Sequence, residues 1–523
     1  MTVSLRVNSV SPVGPDFFRI RNLKPSSLLG HNLELVEIVA LPGAYPADAR
    51  VGRFFRERRY LGSRDRRFVG DATYGWLRQH FRARRRWRDW AAHEGISLPG
   101  DDEIASMEAA VACPPRSEDD NEDDNEDDAG TQRAADKVVL RTIYVLDVLA
   151  LARDELFPWT FAETVDAVRG LPGLENSDAP WNGIGEKATA DDFLASTPLS
   201  ENPLERFYVE SSLPRWLSSR LIDELELDTA QQIAAAFLQP ACVDLRVNQR
   251  LRNRQEILPK LHFETGLKVE LTPYSHLGLR IGGRKNLTAT TASRKNWVDV
   301  QDEGSQIAVL CADPSPGTTV IDACAGNGGK ALAFADLIFP ASASQEGPSL
   351  PHGRIYACDV SKDKLVELGR RASEAELMGR ISLVHIYPAG PLPDELPAAD
   401  LVFVDAPCSG LGTLRRNPEL KRRYGPEDVE TFAALQLSIL ERFAPLVKPD
   451  GRLVYITCSF LRGECEDVAA AFEERRPEFQ GYVSDWAKAH LPATCVEGNR
   501  IRIDPVRTAT DAFFVAQWKR AGG

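Results

Sequence analysis

The chain has 523 residues, a net charge of −13, 43% hydrophobic residues and 27% charged residues, which is typical of globular proteins. At this length we expect roughly three domains. No apolar run approaches ~20 residues, and the N-terminus lacks a basic start followed by an apolar stretch, so neither a membrane span nor a signal peptide is predicted. Nine unevenly spaced cysteines without a Cys-x-x-Cys pair indicate neither a disulfide framework nor a metal site, and a reducing cytoplasm is expected.

The N-terminal part of the chain is predicted to be helical. Residues 1–34 carry Pro and Gly without clear periodicity and stay unassigned, whereas apolar residues in 35–169 recur on a wide helical stripe. From Arg53 to Arg88 there are thirteen arginines and three acidic residues, and a local excess of positive charge favours phosphate binding. Aromatic residues alternate with these arginines, so several must border a core. The alternative interpretation is a solvated helix face.

An acidic segment interrupts this helical region. Residues 117–128 hold nine carboxylates and no basic residue, and such a block cannot bury apolar surface. We therefore predict a disordered insertion at 114–132. A solubilising loop is favoured over a segment that competes with RNA for the arginine surface.

Residues 170–203 are rich in Pro and Gly and are predicted to be a linker. A small α+β module is predicted at 204–295, with an alternating strand at 243–248 and a short helix at 249–258 that ends before Pro259. Its basic residues suit contact with an RNA backbone. They are Arg246, Arg250, Arg252, Arg254, Arg280, Arg284 and Lys285.

From residue 296 onward the pattern alternates strand and helix, as a doubly wound domain requires. A strand at Thr318–Ala323 leads into the glycine loop Cys324–Lys330. A strand, a glycine turn and a helix present backbone N–H groups to a nucleotide-like cofactor, and glycine allows close approach of the backbone. The glycine loop alone is a weak signal.

The next predicted strand, Arg354–Asp359, ends in a carboxylate that suits a pair of ribose hydroxyls. Asp359 lies 37 positions after Asp322, more than the usual ~20, and a loop insertion at 342–352 accounts for the excess. The alternative role for Asp359 is capping the following helix together with Ser361.

Two cysteines directly follow apolar strands. Cys408 lies in Asp405–Gly410 after one strand, and Cys458 follows Thr457 after another. Ligands of parallel sheets bind beyond the carboxyl ends of the strands, so both thiols should open into the cofactor crevice as candidate nucleophiles. The alternative is the buried structural cysteine that is usual on apolar strands. That structural role is predicted for Cys242, Cys311 and Cys358.

These motifs resemble the RNA cytosine carbon-5 methyltransferases of the Sun/RsmB (Nop/NSUN) family. Trp297–Gln306 and Arg415–Lys421 resemble further family segments, and Arg53–Trp87 resembles the NusB-like domain of the bacterial ribosomal RNA members. The resemblance covers most of 35–523. It implies a multidomain protein with an all-α NusB-like N-terminal domain at 35–169, the small α+β module, and a C-terminal α/β Rossmann-like class I methyltransferase at 296–523.

The resemblance also implies the chemistry. Cys458 would add to carbon 6 of cytosine, Cys408 would assist release, and Asp405 would hydrogen-bond ring nitrogen 3. Lys330 or the cofactor's sulfonium would favour the thiolate; the alternative for Lys330 is a solvated residue in the first helical turn. The expected S-adenosylmethionine site consists of Cys324, Ala325, Gly326, Asn327, Gly328, Gly329, Lys330, Asp359 and Asp405.

Two segments depart from the family pattern. Gly326-Asn327 stands where the family usually has Ala-Pro, and residues 384–390 offer no acidic residue to contact adenine.

The expected partner is RNA, with 16S ribosomal RNA favoured. No membrane is expected to be involved, and a monomer is expected. Transfer RNA methylation and an RNA-binding assembly factor with a vestigial methyltransferase fold are the alternatives.

Overall fold

The computed structural model divides the chain into two compact units. The first comprises Met1–Leu238 and Asn417–Arg423, and the second comprises Gln239–Arg416 and Tyr424–Gly523. We call them the helical unit and the α/β unit, after the elements they contain. The residues that the structure describes are 23–41, 46–93, 96, 99–112, 126–169, 171, 188, 194, 199–283, 285–339 and 353–522.

The described part of the helical unit is built from helices. In chain order they are α1 (Pro25–Ala40), α2 (Ala47–Glu57), α3 (Ser63–His93), α4 (Asp101–Ala112), α5 (Glu126–Arg153), α6 (Phe161–Arg169), α7 (Pro203–Glu210), α8 (Arg215–Glu224) and α9 (Leu227–Phe237). Helix α3 forms because Phe68, Ala72, Trp76, Ala83 and Trp87 recur at helical spacing and form one buried stripe. This stripe packs against α1 and α5, and each large side chain contributes about 1.5–3 kcal/mol by burial.

The helical region starts earlier than predicted. Residues 1–34 were left unassigned, but α1 already begins at Pro25 and buries Leu28, Leu29 and Leu33. Proline is well suited to the first turn of a helix, where its missing N–H would have no partner. Residues 1–22 lie outside the described part of the chain.

The predicted disordered insertion at 114–132 is wrong at its C-terminal end. Residues 113–125 lie outside the described part, but the backbone of α5 is helical from Glu126 onward. Helix elongation is favourable once a nucleus is packed, and the buried residues of 140–152 supply that packing. Most of the predicted linker at 170–203 also lies outside the described residues, while Pro203 already belongs to α7.

The arginine-rich segment does not form one surface. Arg78, Arg84 and Arg86 are buried in α3, and Arg84 donates to Asp147 on α5 over 3.1 Å. Arg82 pairs with Asp154 at 3.2 Å. The exposed arginines lie earlier in the chain; they are Arg53, Arg56, Arg59, Arg64 and Arg67. Within this segment, only arginines of 53–67 are exposed, because the later arginines are buried or half-buried and have partners within the protein.

Residues 417–423, which include the short helix Leu420–Arg423, complete the helical unit from far along the chain. Lys421 is buried and donates to the carbonyls of Arg78 at 2.6 Å and Ser212 at 2.7 Å. Burial holds the pKa of Lys421 well below its ordinary value, and the nearby arginines lower it further. Arg422 donates to Glu108 at 2.5 Å. This short segment therefore belongs to the internal hydrogen-bond network of the helices.

The α/β unit contains a small antiparallel sheet of order β2-β3-β1-β4. Its elements are β1 (Val243–Val247), α10 (Arg254–Thr265), β2 (Val269–Leu271), β3 (Gly278–Ile281), α11 (Thr291–Arg294) and β4 (Val298–Val300). Helix α10 differs from the predicted helix at 249–258, because it begins at Arg254 and continues through Pro259. An internal proline costs about 3 kcal/mol. Ile257 and Leu261 pack in the core of this sheet and offset that cost.

Arg246 and Arg280 do not lie on an RNA-facing surface as predicted. Arg246 is 4% exposed and pairs with Asp336 and Asp299. Arg280 donates to both carboxylate oxygens of Asp244, at 2.8 and 3.0 Å. Both arginines therefore stabilise the fold of the α/β unit. Arg284 lies outside the described residues.

A larger sheet follows, of order β11-β12-β13-β9-β8-β5-β6-β7 with β10 beside β13. Its strands are β5 (Val320–Asp322), β6 (Ile355–Asp359), β7 (Ile381–His385), β8 (Ala399–Asp405), β9 (Val447–Thr457), β10 (Phe479–Gly481), β11 (Val496–Glu497), β12 (Arg500–Ile503) and β13 (Phe513–Arg520). The helices between them are α12 (Glu303–Cys311), α13 (Gly329–Ile338), α14 (Lys362–Glu374), α15 (Pro426–Phe443), α16 (Glu466–Arg475) and α17 (Asp485–His490).

The topology of the large sheet positions the site. Strands β7, β6, β5, β8 and β9 are parallel, and the chain runs outward from β5 to β7 before it returns to β8 on the other side of β5. The order therefore reverses between β5 and β8, where doubly wound sheets bind ligands. Among the described residues, no helix combines the length and apolar character needed to cross a bilayer.

Candidate active site

The glycine loop connects β5 to α13 and lies against β6. The backbone N–H of Ala325 donates to the carbonyl of Cys358 over 2.8 Å, and that of Gly326 donates to the Asp359 carboxylate over 2.8 Å. Gly326 and Gly328 have φ of 54° and 84°, in the left-handed region. A Cβ on Gly328 would also collide with Leu368, so only glycine fits there.

Asp359 uses both carboxylate oxygens within the protein. One accepts from Gly326 and the other accepts from the backbone N–H of Ser361 over 2.7 Å. Ser361 itself caps α14 by accepting from Lys364. Asp359 thus holds the loop against β6, and each oxygen retains a lone pair for a further donor.

The two cysteines that follow β8 and β9 lie side by side. The sulfurs of Cys408 and Cys458 are 3.2 Å apart, because β8 and β9 are adjacent parallel strands. The pKa of Cys408 is raised well above its ordinary value, first by the hydrogen bond with Cys458 and then by burial. Cys408 therefore retains its proton more firmly than an exposed thiol.

Lys330 and Asp405 form an ion pair beside the thiols. The ammonium donates to the carboxylate over 2.5 Å, and the Lys330 side chain is only 15% exposed. Burial lowers the pKa of Lys330, but the charge of Asp405 and its hydrogen bond outweigh burial, so this pKa is raised, with a further contribution from Cys458. Lys330 is therefore not the solvated residue of the alternative interpretation.

A further buried carboxylate, Asp322, ends β5. Neither of its oxygens has a hydrogen bond of ordinary geometry. Burial first, and the charge of Asp405 next, raise the pKa of Asp322 to about 7. The charge of Lys330 and then the backbone N–H of Cys324 offset this rise only in part. Asp322 therefore holds a proton more firmly than an exposed carboxyl group does.

The remaining cysteines differ among themselves. Cys311 and Cys358 are fully buried, and burial raises the pKa of each thiol. Cys242, which was predicted to be buried, is only half-buried. It lies just before β1, where the chain enters the small sheet.

Glu464 was missed by the sequence reasoning. Its buried carboxylate accepts from the hydroxyls of Ser409 and Ser459, the residues directly after the two cysteines. The repeated Cys-Ser pair was a possible signal, because two equivalent hydroxyl donors at one site require an acceptor. The acceptor itself has no distinctive local pattern.

The glycine loop and the crevice fit a nucleotide-like cofactor. Beyond Gly326, the position of a Cβ is free of other atoms within 4 Å, so a ligand can approach the backbone there. Asp359 retains acceptor capacity at the end of β6. A doubly wound sheet with this loop, this carboxylate and a thiol pair beside the switch point is the arrangement of a Rossmann-like methyltransferase.

Comparisons with known proteins agree. Residues 309–519 match the family described as 16S rRNA methyltransferase RsmB/F, and residues 213–288 match the RsmF/B-like ferredoxin-like domain. A Bacillus subtilis relative, a probable ribosomal RNA small subunit methyltransferase B, is 32% identical over 62% of this chain and 69% of its own length. A Synechocystis relative of the same description is 30% identical over 59% of this chain and 67% of its own.

Two solved structures support the fold. That of PH0851 has a TM-score of 0.67, with 23% identity over 96% of this chain and all of that one. That of NSun6 from Pyrococcus horikoshii, solved with the S-adenosylmethionine analogue SFG, has a TM-score of 0.51, with 18% identity over 60% of this chain and all of that one. The chain belongs to the Sun/RsmB (RsmB/F) family of RNA methyltransferases. It depends on S-adenosylmethionine, as the motifs predicted.

Proposed function

We propose that this protein forms 5-methylcytosine in RNA, with 16S ribosomal RNA as the favoured substrate, through a covalent cysteine adduct. The observation that carries the proposal is the pair of thiols 3.2 Å apart beside the Lys330–Asp405 ion pair. Carbon 5 of cytosine is too weak a nucleophile to accept a methyl group directly. A thiolate that adds to carbon 6 makes carbon 5 an enamine carbon, which is nucleophilic.

Cys458 is the proposed nucleophile. The raised pKa of Cys408 keeps that thiol protonated, so it can donate a hydrogen bond to a Cys458 thiolate. The half-buried ammonium of Lys330 favours the same thiolate by its charge. S-adenosylmethionine supplies, when bound, an electrophilic methyl group.

Cys408 is proposed to assist release. Once Cys458 is bonded to carbon 6, it can no longer accept the hydrogen bond that is the main cause of the raised pKa of Cys408. Cys408 would then give its proton to solvent and, as a thiolate, act as the base that accepts the proton from carbon 5. Removal of the proton from carbon 5 by Cys408 expels the Cys458 thiolate and restores the double bond of the ring.

Asp405 is proposed to form a hydrogen bond with ring nitrogen 3 of the target cytosine. Thiolate addition at carbon 6 places negative charge on the ring, and nitrogen 3 can be neutralised by a proton. That proton would come from solvent, and Asp405, held in place by the ammonium of Lys330, would accept a hydrogen bond from the protonated nitrogen. The residues proposed to hold the cofactor are Cys324, Ala325, Gly326, Asn327, Gly328, Gly329, Lys330, Asp359 and Asp405.

RNA contacts are proposed on both units. In the helical unit, a NusB-like domain at 35–169 would contribute the exposed arginines of 53–67. In the α/β unit, the part of the module at 204–295 that follows Leu238, with the adjoining Trp297, carries a second basic cluster. In it Arg252, Lys260 and Lys295 lie 4.8, 5.0 and 5.2 Å from the centroid of the Trp297 ring. Three cations around one aromatic ring favour a polyanion with bases that stack.

Ribosomal RNA is favoured because both relatives are described as ribosomal RNA small subunit methyltransferases. A cytoplasmic monomer is proposed as the working form. Transfer RNA is the second candidate substrate, since the same thiol chemistry would serve it. A non-catalytic assembly factor is disfavoured because Cys408, Cys458, Lys330 and Asp405 lie together.

The test is transfer of labelled methyl groups to 16S RNA and, separately, to transfer RNA, with covalent adducts resolved on denaturing gels. Cys458→Ala should abolish transfer, and Cys408→Ala should accumulate a stable protein–RNA adduct. Cys242→Ala, which removes a thiol outside the crevice, is the matched control and should behave as wild type. Label in transfer RNA alone would identify transfer RNA as the substrate in place of 16S RNA. Normal turnover in Cys458→Ala would refute the roles assigned to the two cysteines.

A further inference from the structure

One buried carboxylate joins the loops that carry the two candidate catalytic thiols. Glu464 is fully buried and follows Cys458 in the loop between β9 and α16. One of its oxygens accepts from the hydroxyl of Ser409 at 2.5 Å and from the hydroxyl of Ser459 at 2.7 Å. Each of these serines is bonded directly to a cysteine of the pair.

The two serine turns are equivalent. The Ser409 hydroxyl accepts from the backbone N–H of Leu411 at 3.4 Å, and the Ser459 hydroxyl accepts from that of Leu461 at 3.3 Å. Each hydroxyl has a single proton, which is directed to Glu464. Glu464 therefore acts only as an acceptor for both loops.

The second oxygen of Glu464 is equally constrained. It accepts from the backbone N–H of Ser409 at 2.7 Å and from the side-chain amide of Gln436 at 3.3 Å. The Gln436 amide is oriented by the Tyr455 hydroxyl, 2.9 Å from its oxygen, and its nitrogen also donates to the Pro407 carbonyl at 2.9 Å. Every partner of the carboxylate is thus itself fixed in place.

We propose that Glu464 is a positioning residue that sets the distance between the Cys408 and Cys458 sulfurs and thereby controls formation and breakdown of the covalent adduct. Glu464 does not touch the substrate. Its effect reaches the thiols through Ser409 and Ser459, one residue from each sulfur. The role in adduct chemistry depends on the proposed function, whereas the effect on thiol spacing can be measured without RNA.

Backbone contacts hold the two loops near each other independently of Glu464. The effect of Glu464 on thiol position can therefore be distinguished from an effect on the stability of the fold. The N–H of Gly412 donates to the carbonyl of Cys458 over 2.9 Å. A Cβ on Gly412 would collide with the carbonyl of Ala512, so the loop is closely packed there. Loss of the Glu464 acceptor should therefore leave the loops folded and loosen the serine turns and thiols.

The first test measures thiol spacing in the full chain without RNA. Diamide oxidises two adjacent thiols to a disulfide, and mass spectrometry of the protein digest quantifies the Cys408–Cys458 bond. Glu464→Gln replaces one acceptor oxygen by an NH₂ donor and should slow this oxidation about 10-fold. Glu466→Gln is the matched control, because Glu466 pairs with Arg502 and not with the serines.

The second test measures single-turnover methyl transfer at saturating RNA and cofactor. Misplacement of reacting groups by about 1 Å can reduce rates about 100-fold, so Glu464→Gln should lose about that factor while cofactor affinity stays within about 2-fold. The double variant Ser409→Ala/Ser459→Ala keeps the carboxylate but removes both hydroxyl donors. It should reproduce both defects if Glu464 acts through the serines.

Wild-type rates of thiol oxidation and transfer in folded Glu464→Gln would overturn the inference. So would normal thiol spacing in the double serine variant. If the wild-type protein methylates no RNA but Glu464→Gln still oxidises its thiol pair about 10-fold more slowly than wild type, the proposed function fails while the spacing role of Glu464 is supported. If Glu464→Gln does not fold, the double serine variant decides the question by the same two measurements.

Discussion

Two buried carboxylates illustrate different uses of the same chemical group. In the helical unit, Asp147 accepts from the indole N–H groups of Trp76 and Trp87 at 3.1 and 2.7 Å and from Arg84 at 3.1 Å. In the α/β unit, Glu464 accepts from neutral donors only, namely the Ser409 backbone and hydroxyl, the Ser459 hydroxyl and Gln436. Asp147 has a counter-ion, and Glu464 has none among the partners described here.

The difference follows from what each carboxylate connects. Asp147 joins α3 to α5 in a core, where Arg84 compensates the cost of burying its charge. Glu464 joins two loops at the carboxyl ends of β8 and β9, and its burial is compensated by hydrogen bonds from four neutral donor groups. These donors fix the positions of the two loops, whereas the ion pair of Asp147 fixes two helices.

The largest effect on stability is expected from Asp147→Asn. It leaves the Arg84 charge buried without a counter-ion, and loss of one partner of a buried pair costs about 3–5 kcal/mol. Urea unfolding followed by tryptophan fluorescence measures this, since Trp76 and Trp87 contact the site. Methyl transfer per folded molecule should stay at the wild-type rate. A loss of unfolding free energy below about 1 kcal/mol would show that Asp147 does not stabilise the buried charge of Arg84.

Asp322 sharpens the comparison, because it is buried with neither a counter-ion bonded to it nor a set of good donors. Its pKa rises from 3.8 to about 7, so between these values the folded state holds a proton that the unfolded state has released. The free energy of unfolding therefore falls as pH rises through this window. Asp322→Asn does not titrate, so its advantage over wild type should grow by about 2–4 kcal/mol from pH 4 to pH 8.

Urea unfolding of both proteins across this pH range measures the difference. Asp394→Asn, which removes an exposed carboxylate, is the control and should run parallel to wild type. If the difference in unfolding free energy between Asp322→Asn and wild type is the same at all pH values, burial does not raise the pKa of Asp322.

The smallest effect is expected from Glu466→Gln. Glu466 and Arg502 form an ion pair with side chains 19% and 29% exposed, and partly solvated pairs contribute about 1 kcal/mol or less. Thermal unfolding of this variant beside Glu464→Gln compares two glutamates two positions apart. If both variants lose the same unfolding free energy and the same methyl-transfer rate, burial does not make Glu464 more important than Glu466.

Much of the α/β unit could be predicted from the sequence. The glycine loop and the thiols at strand ends have strong local patterns, and the predicted family, Rossmann-like fold and cofactor were confirmed. The sulfur–sulfur distance could not be predicted, because it depends on β8 and β9 being neighbours in the sheet. The roles assigned to the site residues stay predictions.

The errors came from tertiary contacts. The alternating pattern of β1 correctly predicts that Leu245 and Arg246 lie on opposite faces of the sheet. It cannot reveal that the face of Arg246 is also buried, or that Asp336, 90 positions later, pairs with this arginine. The same limit applies to α3, where charge density did not distinguish exposed arginines from those paired inside the helical unit. Glu464 was missed because its partners are brought together only by the fold.

The contribution of Asn417–Arg423 to the helical unit has a consequence during synthesis of the protein. Lys421 lies 209 positions after Ser212, and Arg422 lies 314 positions after Glu108, yet these pairs are bonded inside one compact unit. A chain emerging from the ribosome exposes the helices first and supplies these two cations much later. The helical unit therefore acquires its complete set of internal bonds only after most of the α/β unit has been translated.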